Sequence, residues 1–252
     1  ASHNLDKIFH TLSPERLFLP PWEVMAIAFF MLNFIYVKFL VIWRSSAALA
    51  EMDGVVTPEN MRRCVCDNYT FGGFWRAWHA SLHVWILKYM YVPMGGKQRR
   101  LWVILPIFTF VGLWHDFEVR WVAWALLNSL FLILEGLLLS LVRGPRFAGL
   151  RTHFWWRYVR VAGGVANVYL LMLANLALLY GFKGSLALVR AIVAPPAKYG
   201  RFVTTGEVVR TNAVAAWWLA CGVYLMQRRR DRERAELKAA AHDRGSTALK
   251  SE

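Results

Sequence analysis

A disulfide framework is the first thing this sequence cannot supply. It holds three cysteines, Cys64, Cys66 and Cys221, an odd number and too few for such a scaffold, and they do not decide a redox compartment. Acid is also scarce: 16 Asp and Glu stand against 30 Lys and Arg, for a net charge of +14. That imbalance raises nucleic acid as a partner, but no RNA- or DNA-binding signature accompanies it. The cations lie in short segments between apolar runs and in the tail, as the positive-inside bias of a membrane protein would place them. No nucleic-acid partner is therefore expected. The chain opens ASHNLDKIFHTLSPERLF, without an initiator Met and without the basic start and short apolar core of a signal peptide. We expect a part of a longer polytopic protein.

What is abundant is apolar surface. Hydrophobic side chains make up 57% of the 252 residues, above the roughly 45–50% of soluble domains, so the expected fold is an all-α polytopic membrane bundle. Residues 1–21 are polar and end in the extended Pro20-Pro21 pair. About five spans follow, at 22–43, 101–117, 121–141, 161–182 and 208–226, each close to the ~20 residues that cross a hydrocarbon core. Trp22 and Trp43 suit the interfaces of the first, and Lys38 can snorkel. Pro106 interrupts the second. Asn128 and Glu135 sit inside the third, where an acid is costly unless paired or protonated, so Glu135 is expected to face the interior as a functional group or a packing hydrogen bond. Gly163-Gly164 in the fourth permits close helix approach. Residues 44–73, with a Thr57-Pro58-Glu59 helix start, read as a surface or re-entrant segment. Residues 183–207 read as a loop holding the amphipathic SLALVRAIV piece and Pro195-Pro196, and 228–252 as a basic, polar, helical tail. Basic residues concentrate in 44–100, 143–160 and the tail, all on one side if five spans are present, and that side is expected to be cytosolic.

One stretch resists this pattern. FWRAWHASLHVWILKYMYVPMGG, residues 74–96, is too charged to span and too apolar for a loop. As a helix from Phe74 to about Tyr91 it would be amphipathic or re-entrant, with Trp75, Trp78, Leu82, Trp85, Ile86 and Tyr89 on one side and Arg76, His79 and His83 on another. Pro93 to Gly96 would stop it. His79 and His83 at i, i+4 have the spacing for zinc, but no third ligand lies at motif spacing and no Glu sits between them; no metal is expected. They fit a polar funnel in which Arg76, Lys97, Arg99 and Arg100 attract phosphates, and equally a helix lying in the headgroup layer. Cys64-Val65-Cys66 is a weak metal motif and fits a palmitoylated or packed pair.

The second candidate is FVGLWHDF, residues 110–117. A neutral His115 imidazole can accept a proton from a hydroxyl that attacks an acyl group, and Gly112, one turn earlier, leaves room for a substrate. A histidine between Trp114 and Asp116 near an interface is also a plain anchor.

Together, FWRAWHASLHVWILKYMYVPMGG and FVGLWHDF resemble the membrane-bound O-acyltransferase superfamily, and their wording is closest to its glycerol-uptake-protein branch, related to the Hedgehog acyltransferases. The resemblance covers about residues 62–135. It implies an enzyme of the endoplasmic-reticulum membrane, with acyl-CoA as co-substrate, a lipid hydroxyl such as a lyso-glycosylphosphatidylinositol anchor as acceptor, and further spans N-terminal to these. It assigns catalysis to His115 and the second functional position to His79. Arg76, His83, Lys97, Arg99, Arg100, Trp114 and Asp116 become expected substrate contacts. The Hedgehog branch carries Asp where His79 stands, which argues against a protein amine acceptor. In that branch a cysteine fifteen positions earlier ligates haem, and the offset falls on Cys64; no cofactor is otherwise required. The alternative suggested by the branch's name is a polyol transporter or a non-catalytic membrane protein, but the spans show no paired repeat with broken helices.

Overall fold

The computed structural model describes residues 20–194 and 204–248, with side chains described as far as residue 241. The expectations for residues 1–19, for Pro195-Pro196 and for the last four residues lie outside these. Among the described residues the protein is all helical. Helix α1 is Pro21–Met52, α2 Phe71–Ala77, α3 Ala80–Ile86, α4 Arg100–His115, α5 Val119–Arg143, α6 Ala148–Thr152, α7 Trp156–Val193 and α8 Thr205–Ala248.

Four of these, α1, α5, α7 and α8, are long and apolar enough to cross a membrane. The stretch expected as a further span, 101–117, forms α4, whose 16 residues reach about 24 Å at 1.5 Å per residue, short of a ~30 Å core. Helix α1 begins with Pro21 at its first turn, where the missing N–H would have had no partner anyway. It runs 32 residues and so continues past the membrane-length stretch expected at 22–43. Helix α7 is broken at Gly181, whose φ of 66° and ψ of 172° are open to glycine at little cost. The expected span thus ends at this kink, and the SLALVRAIV piece continues beyond it as helix.

Three apolar clusters hold the bundle. Val24 and Ala28 of α1 pack on Leu176 and Leu188 of α7. Phe71 and Phe74 of α2 pack on Leu171 of α7, with Phe131 and Leu132 of α5 alongside. Phe108 of α4 packs on Trp124 and Ala125 of α5, with Trp75 alongside. The short α2 is therefore buried between two spanning helices.

Gly164 is where α7 meets α8: a Cβ there would lie 2.5 Å from Val223 Cγ1, so only a glycine admits this approach. Its neighbour Gly163 faces open space. At one end of the bundle ion pairs tie the chain together. Arg63 binds Glu233 at 2.9 Å, Arg229 binds Asp67 at 3.4 Å, and Arg160 binds Asp231 at 3.3 Å. Loop 63–67, the start of α7 and the basic part of α8 thus share one end, as the distribution of positive charge predicted. The Arg63 guanidinium holds Glu233 below the usual carboxylate range.

Two expectations fail locally. No helix starts at Thr57-Pro58-Glu59; residues 55–59 are irregular. The Glu59 carboxylate instead accepts from Met61 N at 3.0 Å and pairs with Arg44 at 2.8 Å, so a tertiary partner takes the group that would have capped a helix. Nor do residues 74–91 form one helix. The segment breaks at His79, giving α2 and α3, and continues as a π-helical turn over Leu87–Tyr91.

Candidate active site

The break at His79 builds the site. His79 has φ 47° and ψ 57°, and it is the single non-glycine residue with positive φ among the described residues. Such a conformation costs roughly 1–2 kcal/mol for an L residue and persists only where surrounding contacts impose it. Those contacts come from segment 60–62. Arg62 N donates to Ala77 O at 3.1 Å, Ala80 N donates to Asn60 O at 3.0 Å, and Ser81 N donates to Asn60 Oδ1 at 3.0 Å. Backbone groups freed by the break are thereby satisfied. The ring of His79 packs against Trp43 of α1, with centroids 4.5 Å apart, and burial holds its pKa below the ordinary value.

Helix α2 is positioned from its other end by Glu135. This buried carboxylate on α5 accepts from Phe71 N at 3.0 Å and Gly72 N at 2.9 Å, and from Asn167 Nδ2 of α7 at 2.9 Å. It caps the first turn of α2 from across the bundle, where the free N–H groups favour an anion. Thr70 completes the cap by accepting from Gly73 N at 3.0 Å. Of the two roles expected for Glu135, the geometry is that of a packing hydrogen bond, made to the helix that leads to His79.

His115 is the last residue of α4. Its ring stacks on Trp121 at 4.6 Å with 10° between planes, and Trp114 and Trp124 stand at 5.0 and 5.9 Å. Its remaining edge is exposed. The antiparallel pair α4–α5 closes at Gly112, where an added Cβ would lie 2.9 Å from both Ala125 Cβ and Trp121 O. Gly112 therefore leaves room for the neighbouring helix and not, as expected, for a substrate. Gly112→Ala should displace Trp121 and lower stability by about 1–3 kcal/mol; an unchanged unfolding midpoint in detergent would show that the helices are not in contact here.

His79 and His115, distant in sequence and on different elements, line one cavity of about 1100 Å³. Arg76, His83, Lys97, Arg100 and Trp114 also line it. Burial, and then the charges of Arg76 and Arg62, push His83 below its ordinary pKa. The interior is aromatic and aliphatic, with Phe39 of α1, Phe74 and Trp75 of α2, Leu171 of α7 and Trp218 of α8 among the walls. Three indole N–H groups, of Trp75, Trp121 and Trp124, are buried without a partner among the described residues, and all three residues line the cavity.

Three expected contacts fall elsewhere. Arg99 is exposed outside the lining and folds back on Gly95. Asp116 ends α4: its backbone is extended and its Oδ1 accepts from Phe117 N at 2.7 Å, so it acts as a turn residue. Cys64 is exposed and is not a lining residue. An exposed loop thiol outside the cavity lining does not fit an enclosed haem. Its neighbour Cys66 does reach the cavity, donating to Asn33 Oδ1 at 3.1 Å. Desolvation, with the Cys64 thiol alongside, pushes Cys66 up to about 11. Asn60, Ser81, Trp43, Trp121 and Trp124 escaped sequence reasoning because no spacing signals a partner that arrives through tertiary contact.

Comparison with known proteins bears on the family. Residues 8–182 match the family model described as MBOAT, membrane-bound O-acyltransferase family. The chain is 40% identical over 162 residues to the membrane-bound O-acyltransferase GUP1 of Saccharomyces cerevisiae, covering 64% of this chain and 28% of that one. It is 36% identical over 129 residues to the protein-cysteine N-palmitoyltransferase HHAT of Mus musculus, covering 49% and 26%. A shorter match, 32% over 66 residues, covers 25% of this chain and 13% of the probable alginate O-acetylase AlgI of Pseudomonas fluorescens. The matched stretches thus span less than a third of the length of these relatives. With two-thirds of its length matched by the family model, and with both motif histidines gathered at one cavity between apolar helices, the chain belongs to the membrane-bound O-acyltransferase family.

Proposed function

We propose that this chain carries the catalytic part of an O-acyltransferase that moves a long fatty acyl group from acyl-CoA to a lipid hydroxyl. The observation that carries the reading is the convergence of His79 and His115 on one cavity whose walls are apolar and whose lining includes Arg76, Lys97 and Arg100. Apolar walls suit an acyl chain. The three cations suit the phosphates of coenzyme A, which they attract through a low-dielectric cleft.

In this mechanism His115 accepts the proton of the acceptor hydroxyl as its oxygen attacks the thioester carbonyl. The new C–O bond forms and the C–S bond breaks. The imidazolium returns its proton to the departing thiolate, so the base is regenerated. His79 orients the reacting groups. The exposed edge of His115 leaves an approach for the acceptor. The same reading places the protein in the endoplasmic-reticulum membrane with its basic end cytosolic, and takes a lyso-glycosylphosphatidylinositol anchor as the acceptor.

The test is transfer of a labelled acyl chain from acyl-CoA to that acceptor, by the full-length protein in membranes lacking endogenous activity. Transfer is the expected result. Transfer only to another lipid hydroxyl would replace the acceptor and keep the reaction. Uptake of labelled glycerol without any acyl transfer would overturn the reading in favour of a transporter.

A further inference from the structure

The hydroxyl of Ser81 stands between Asn60 and His79: its Oγ is 2.7 Å from Asn60 Oδ1 and 3.3 Å from His79 Nδ1. The proton positions along this chain follow from chemistry. Ser81 N, which can only donate, lies 3.0 Å from the same Asn60 atom, so that atom is the amide oxygen and the orientation of the amide is settled. The hydroxyl has one proton. Facing an acceptor at 2.7 Å, it donates that proton to Asn60 Oδ1. Toward His79 the oxygen then has only lone pairs, and a neutral imidazole meets them with Nδ1–H. Nε2, the other ring nitrogen, carries the lone pair; beyond Ser81, the ring's further hydrogen-bond contact is with the backbone of His79 itself.

We propose that Asn60 and Ser81 are positioning residues that hold His79 in the Nδ1–H tautomer and present Nε2 to the cavity as a hydrogen-bond acceptor. This deepens the acyltransfer reading and rests on it for its functional meaning. Of the roles open to His79, it selects orientation: Nε2 accepts from an O–H or N–H of the substrate and does not donate to an oxyanion. Two features of the backbone serve the same end. The left-handed conformation of His79 turns α3 so that Ser81, two residues on, lies beside the ring. Asn60 fixes that turn through its own carbonyl, which accepts from Ala80 N at 3.0 Å. One asparagine thus sets both the backbone and the ring.

The experiment is 15N spectroscopy of the full-length protein, labelled at histidine and reconstituted in lipid nanodiscs, with the His79 signals identified by their loss in His79→Gln. The expected result is a protonated-type shift at Nδ1 and an unprotonated-type shift at Nε2. Ser81→Ala should change this to a mixture of tautomers, and Ser81→Thr, which keeps the hydroxyl, should restore it. In acyl transfer, Ser81→Ala should lower kcat by about tenfold with KM for acyl-CoA within twofold, and Ser81→Thr should recover most of that loss. A protonated Nε2 in the unmodified protein overturns the proposal, as does a His79 spectrum indifferent to Ser81→Ala. If Ser81→Ala does not fold, Asn60→Asp tests the same link. Its carboxylate still accepts from Ser81, so the tautomer should persist; a switch to Nε2–H overturns the proposal equally. Since the tautomer is read without turnover, an absence of acyl transfer would strike the reaction and leave this assignment to be judged on the spectrum.

Discussion

His115→Ala in the full-length protein is expected to lower acyl transfer by about 10²–10⁴-fold, the usual contribution of a positioned general base, with little change in stability. The asymmetry follows from the position of the ring. His115 ends α4, stacks one face on Trp121 and exposes its remaining edge, so its removal leaves a shallow gap at the cavity rim and no orphaned buried group. The unfolding midpoint should stay within a few degrees while turnover collapses. Transfer that survives at matched expression would falsify His115 as the base. Loss of both transfer and stability would instead make it the anchor that its tryptophan neighbours also allow.

Glu135→Ala should show the opposite pattern. Its carboxylate gathers Phe71 N, Gly72 N and the Asn167 amide within 3.0 Å, and its removal strands the two backbone donors and leaves Asn167 Nδ2 only a long contact to Tyr69 O at 3.5 Å. Each stranded group costs roughly 1–3 kcal/mol. The contributions do not add fully, so about 3–5 kcal/mol is expected, enough to threaten folding of a protein of ordinary stability. Activity should fall with it, because α2 is the element that ends at the His79 turn. Glu135→Gln retains one acceptor oxygen and turns an NH₂ toward the second donor, so an intermediate loss is expected. A thermal unfolding series in detergent distinguishes the cases, and equal midpoints for wild type and Glu135→Ala would remove the carboxylate from the architecture.

These two substitutions divide the molecule into chemistry and scaffold, and the division bears on what could be read in advance. Burial in lipid demands an uninterrupted apolar run, which leaves a strong local signal in periodicity and hydropathy. The expected spans at 121–141 and 208–226 fall within α5 and α8. The Gly163-Gly164 pair marked a true close approach, made through Gly164 against Val223. The candidate site residues were legible as a pair of motifs, and of them His79, His115, Arg76, His83, Lys97, Arg100 and Trp114 line one cavity.

What the sequence determined by itself was therefore the membrane class, and it supplied the apolar runs and the candidate side chains of the proposed chemistry, since each depends on residue type at close range. The tertiary structure alone decided how those side chains are arranged. Residues 74–91 have an unbroken helical pattern, with no glycine or proline at the break. They bend at His79 because Asn60 and Arg62, from a segment with no periodic signal, take over the hydrogen bonds a continuous helix would have made. Gly112 looked like space for a ligand until α5 was found to fill it. The role of Glu135 stayed open until the N–H groups of Phe71 and Gly72 met it from across the bundle. In each case the deciding partner lies far away along the chain, and hydrogen bonding and packing act on distance in space, which local pattern does not encode.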